Sequence, residues 1–243
     1  MIWYYILSYA SLIIIVPGVI FAFVAQLLVR SAYKKYSKVE ARSGWTADDM
    51  SRMFMERYDC NGVTVEPIKG DLTDNYNPST DVISLSETVY GKSTIAALGV
   101  AAHECGHARQ QHEGSFMMAL RKVLVPATNI GSNLAVPLVI LGLLLEFWLG
   151  TVVGTYFWVA GVVLYSMSTI FALVTLPVEI GASSRAMKML EEQNVLEKDE
   201  RRGARKVLSA AALTYVAALL VSLLYLLRFL IIIAGTRRKK RNR

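Results

Sequence analysis

With 243 residues, 54% of them hydrophobic and only 19% charged, the chain is too apolar for an ordinary soluble domain and falls in the membrane class. A net charge of +7 raises the question of nucleic acid, but the basic residues flank apolar runs and nothing resembles a nucleic-acid module, so that partner is excluded. Two cysteines, Cys60 and Cys105, make no disulfide framework and read as free thiols, in keeping with a reducing compartment.

In chain order, Ile2 to Val29 carries no charge and exceeds the roughly 20 apolar residues needed to cross a bilayer. It lacks a basic n-region, and Arg30, Lys34 and Lys35 follow it, so it reads as a retained anchor rather than a secretion signal. Trp45 to Tyr58 has Thr46 and Asp48 as candidate caps and sets Met50, Phe54 and Arg57/Tyr58 along one helical face. VTVEPI at 63–68 alternates and reads as a strand ended by Pro67. The turn-rich GDLTDNYNPST follows, then DVISLS at 81–86 as a second strand. Residues 93–112 predict a helix with Ser93 as N-cap.

Three further spans are expected. Val123 to Phe147 contains only Glu146, Val152 to Val178 contains no charge, and Val207 to Ala234 contains only Arg228. Pro177 is expected to reset the chain into a new helix. The loop around Gly150 has no Lys or Arg, whereas 30–122 and 185–206 are rich in them, so positive-inside counting places both longer loops in the cytoplasm and the N-terminus outside. Four spans then leave the basic tail RRKKRNR outside, unless the last one is interrupted at Arg228.

The chemistry concentrates in AAHECGHARQ, residues 101–110. On a helix His103 and His107 differ by about 40° in azimuth and project from one face. Two imidazoles so placed suit Zn²⁺, which takes three protein ligands in catalytic sites and keeps one position open. Glu104 is turned about 100° from His103 and is positioned to act as general base on the water that such an ion activates. His112, about 140° off the shared face, reads as a solvated helix residue, and Glu113 likewise. Gln110 and Glu113 stand where the metzincin pattern needs Gly and His, which excludes that class. For the third ligand Glu179 is the candidate, although a glutamate in a helix's first turn is equally well explained by the helix dipole. Arg185 has two readings, a support for a carboxylate or oxyanion and a plain membrane-flanking cation.

These residues resemble the YugP-type family of membrane zinc metallopeptidases, the neutral zinc peptidases of bacteria. The resemblance runs through Asp74-Asn75-Tyr76-Asn77-Pro78, Leu85-Ser86, Ala101 to Gln110, and Leu176 to Ala186. It implies Glu179 as the third zinc ligand. Gly181 stands where the family often has an acidic or amide residue, and Asn75 and Asn77 replace more usual His and Asp.

The expected fold is mainly α: a polytopic membrane protein with about four transmembrane helices and a small α+β zincin-like domain at the membrane surface. Its parts are a span at 1–29, a cytoplasmic domain at 30–122, a two-span hairpin at 123–178, a cytoplasmic helix at 179–206 carrying the third ligand, a fourth span at 207–234 and a basic tail at 235–243. The expected activity is that of a gluzincin-like zinc endopeptidase of the cell membrane, with its site on the cytoplasmic side. Its partners would be the bilayer and a membrane-proximal or unfolded polypeptide, held extended on a strand such as 63–68 or 82–85. The alternative is a catalytically silent zinc-binding protein that acts by binding partners. A transport role lacks the buried paired charges that such pathways use.

Overall fold

The computed structural model describes residues 12–149 and 152–241. The expected first span thus falls in part, through residues 1–11, outside the described residues. Among those described, the chain forms α1 (Val16–Tyr36), α2 (Ala47–Arg57), β1 (Thr64–Ile68), β2 (Asn75–Asn77), β3 (Val82–Ser86), α3 (Ile95–His112), α4 (Phe116–Leu149), α5 (Val152–Glu192) and α6 (Lys198–Arg241). The architecture is mainly α with a small α+β part. Four helices are long and apolar enough to cross a membrane: Val16–Tyr36, Phe116–Glu146, Val152–Glu192 and Lys198–Ile231.

One expectation about these helices is corrected. Pro177 does not restart the chain, because α5 runs through it unbroken to Glu192. Proline removes one donor, and the buried stripe of Val178, Ala182, Ala186 and Met189 beyond it keeps the helix docked. The four expected spans stand, and α6 is continuous past Arg228, so an interruption there does not account for the basic tail.

The chain divides into two compact units. One is made of the described residues within Met1–Phe23, Leu120–Val174 and Val216–Arg243; the other comprises Val24–Ala119 and Thr175–Tyr215. In the first, large apolar side chains face outward: Phe23 is 64% exposed, Val123 70% and Val163 60%. A soluble protein does not expose apolar surface on this scale, so the solvent such helices require is lipid. Between α4 and α5 the close approaches are made by small residues. A Cβ on Gly161 would lie 2.7 Å from the Ala135 carbonyl oxygen, and one on Gly154 2.5 Å from that of Gly142. Small residues let helix backbones meet where no hydrophobic effect drives them together. Glu146 accepts a 2.8 Å hydrogen bond from the Trp158 indole, which gives this in-span carboxylate a donor.

The second unit is built like a soluble domain. Thr46 caps α2 by accepting from the Asp49 N–H, and Met50 and Phe54, one turn apart, are fully buried. Burying two such side chains contributes roughly 1.5–3 kcal/mol each. The sheet has the order β1-β3-β2, with β1 parallel and β2 antiparallel to β3. The sequence reading missed β2, which the Asp and Asn turn signals around it conceal. β1 also continues through Pro67 to Ile68, which an edge strand tolerates because its outward N–H needs no partner. Helix α3 packs against α2, β2 and β3. Its N-cap is Thr94, which accepts from the Ala97 N–H, rather than the expected Ser93, whose hydroxyl donates to Glu40 instead. Gly114 at φ +68° lets the chain leave α3 in a conformation few other residues adopt.

Candidate metal centre

The site is assembled by two helices that touch at one glycine. A Cβ on Gly106 of α3 would lie 2.4 Å from the carbonyl oxygen of Ala182 on α5. Only glycine allows that approach, although in a helix interior it costs about 0.5–1 kcal/mol relative to alanine. The contact falls between His103 and His107 on one helix, and between Glu179 and Ser183 on the other. Gly106→Ala is expected to push α5 outward, destabilise the unit by about 1–3 kcal/mol and lower zinc affinity at the same time. Thermal melts paired with zinc titrations check this, and a drop in melting temperature with unchanged affinity would show that the contact does not set ligand placement.

His103, His107 and Glu179 bring their donor atoms within 4.8 Å of one another. His103 Nε2 lies 3.2 Å, and His107 Nε2 3.4 Å, from the same oxygen, Glu179 Oε2. Tetrahedral ligation with bonds of about 2.0–2.1 Å separates ligand atoms by about 3.3–3.4 Å, so this donor set fits zinc. Glu179 is 1% exposed and His107 6%. The imidazole planes stand 81° apart, so the two rings approach the carboxylate from different directions.

The far nitrogens of both rings are also engaged. Gln110 donates through Nε2 to the Val178 carbonyl at 2.9 Å, which fixes its amide and turns Oε1 toward His107 Nδ1 at 3.2 Å. An amide oxygen only accepts, so a neutral His107 carries its proton on Nδ1 and presents a bare Nε2 lone pair to the cluster. His103 Nδ1 lies 3.1 Å from the Ser183 hydroxyl. The bare Nε2 of His107 and the Glu179 oxygen 3.4 Å away are both acceptors, a pair that a cation placed between them would bridge. Gln110 and Ser183 were missed at the sequence level, though their spacing gave the signal: Gln110 is three residues after His107, and Ser183 four after Glu179. The absence of a side chain at Gly181 is also accounted for, because a Cβ there would lie 2.6 Å from the Gln110 amide nitrogen. Gln110→Leu is expected to keep the fold and weaken zinc binding about 10–100-fold, as lost partners of ligating histidines do. Competition with a chelator of known affinity measures the change.

Glu104 is 8% exposed, and no protein group among the described residues hydrogen-bonds its carboxylate. Burial pushes this carboxyl up from its ordinary range, the two histidines pull it back, and Glu179 adds to the rise. Next to it Cys105 is fully buried, and burial pushes its thiol up to about 12, so it stays protonated.

The other candidates are tied up structurally. Arg185 and Arg109 both donate to Glu113, at 2.6 Å each, joining α5 to the end of α3, so neither Glu113 nor Arg185 is simply solvated. Burial alone would raise the Glu113 carboxyl, but the two guanidiniums hold it below its ordinary range. His112 is exposed, with Nε2 3.5 Å from Asp81. In the 71–81 loop, Asp74 accepts from the Ser86 N–H and hydroxyl, Asn75 donates to the Thr73 carbonyl and Asn77 accepts from the Ser79 N–H. None of these side chains joins the donor cluster.

A polytopic helical chain with two histidines one turn apart, closed by a carboxylate from a second helix, defines a membrane protein with a donor set of the zinc-peptidase kind. The chain belongs to the family described as "Putative neutral zinc metallopeptidase", whose pattern matches residues 11–234. It is 44% identical over 217 residues to "Putative membrane protease YugP" of Bacillus subtilis (strain 168), a match covering 89% of this chain and 93% of that relative. No solved structure matches the chain. The resemblance read from the motifs therefore stands.

Proposed function

We propose that the chain is a membrane-anchored, zinc-dependent endopeptidase in which His103, His107 and Glu179 hold the ion and Glu104 is the general base. The observation that supports this reading best is the convergence of two Nε2 atoms on one oxygen of a buried carboxylate, at 3.2 and 3.4 Å. When bound, zinc supplies Lewis acidity toward the scissile carbonyl and lowers the pKa of water at the centre. Glu104, free of protein donors, takes the proton from the attacking water and returns it to the departing amine. Gln110 and Ser183 hold the imidazoles with Nε2 inward, so the ligands need no reorientation during turnover.

An extended polypeptide pairs with an edge of the sheet. β3 is central and has partners on both sides, so of the two strands expected for this role 82–85 is unavailable. The other, 63–68, is an edge strand and stays open to such pairing, as does β2, which packs on α3. The flanking cations at Arg30, Lys34, Lys35 and 201–206 favour a cytoplasmic site. Two buried free thiols agree with that compartment.

The test is zinc content by elemental analysis, together with cleavage of an unfolded fluorogenic polypeptide by detergent-purified protein, before and after chelation and zinc restoration. Activity that follows zinc supports the reading. Bound zinc without any cleavage favours the catalytically silent alternative.

A further inference from the structure

The proposed reaction makes no use of a groove of about 630 Å³ lined by the C-terminal half of α1 and the N-terminal half of α6. Lys35 enters it from α1, and Arg202, Arg205 and Lys206 from α6; Leu28 and Leu213 line it farther along the same helices. All four cations are exposed, and none has a carboxylate partner among the described residues. The adjacent Arg201, by contrast, is paired with Glu191, and Arg42 of the same unit with Glu197 and Asp199.

The groove also has a gradient. Leu28 precedes Lys35 by seven residues and Leu213 follows Lys206 by seven, so on both helices the apolar lining lies about 10 Å from the cations at 1.5 Å per residue. In each case the apolar end points into the span. The walls are fixed: a Cβ on Gly203 would lie 2.7 Å from the Tyr36 ring, and Ala204 abuts Gly99 of α3. We propose that this groove binds one anionic phospholipid, with its phosphate among Lys35, Arg202, Arg205 and Lys206 and its acyl chains along Leu28 and Leu213. Charge at the water boundary and apolar contact at the bilayer side match that amphiphile at both ends.

Native mass spectrometry of the full chain in detergent, titrated with phosphatidylglycerol or phosphatidylcholine of identical acyl chains, tests the proposal. The expected result is a saturable single adduct with phosphatidylglycerol and binding at least about tenfold weaker with phosphatidylcholine. Each neutralised cation should weaken the adduct about fivefold, so Arg202→Gln, Arg205→Gln and Lys206→Gln together should cost about a hundredfold. Ala32→Trp keeps every cation but fills the groove, and should abolish the adduct. Arg121→Gln with Lys122→Gln, a pair beside another span, should leave it unchanged. Equal binding of the two lipids, equal loss from the control pair, or an adduct that survives Ala32→Trp would overturn the site in favour of general surface charge. Displacement of the lipid by millimolar inorganic phosphate would overturn it in favour of a free anion. The wild-type comparison of the two lipids and phosphate stands even if a variant does not fold.

Discussion

Glu104→Gln is expected to retain about one zinc per chain and to lose peptide hydrolysis by about 10²–10⁴-fold, the usual contribution of a positioned general base. The substitution preserves volume and removes only the ability to take a proton. Its surroundings make it a clean probe. Glu104 is buried with no hydrogen-bond donor among the described residues, so the amide breaks no bond to them. It also removes a carboxylate whose ionised form burial disfavours, so the variant should melt no lower than the wild type. A fall in activity at constant zinc and constant melting temperature then isolates the proton-transfer step. Hydrolysis at the wild-type rate would remove Glu104 as the base. A parallel loss of zinc would mean instead that its charge supports the ligands.

What the sequence disclosed depended on how local each signal is. The four apolar runs were legible because a bilayer imposes length and composition on consecutive residues, although α5 runs on past its run to Glu192 and α6 begins ahead of its own at Lys198. His103 and His107 were legible because four residues on one helix fix their geometry without reference to anything else. Glu179 is different. It lies 76 residues from His103, and its own spacing suits a dipole-stabilised first turn as well as a ligand. Its place beside the histidines depends on Gly106, whose missing side chain admits the Ala182 carbonyl, and no periodicity reveals such a contact between helices. The misreadings have the same origin. Pro177 is a local signal for a break, and the packing of the helix beyond it overrides that signal. β2 was hidden because Asn75 and Asn77 have turn chemistry and owe their strand form to pairing with β3.

Glu179→Ala tests the distant partner directly and should cancel the stabilisation that zinc confers. In the wild type, zinc should raise the melting temperature, because an ion that binds only the folded state stabilises by mass action, by about 4 kcal/mol at a thousandfold excess over Kd. In the variant two histidines remain. Zinc affinity should fall by more than the about 10–100-fold typical of losing an outer partner, and added zinc should barely move the melt. A residue that merely supported the fold would lower the metal-free and zinc-loaded melts together, whereas a ligand's loss chiefly cancels the zinc-induced shift. If zinc content and the zinc-induced shift both survive, the third ligand is not Glu179. The search would then move to the 71–81 loop and its carboxylates Asp71, Asp74 and Asp81.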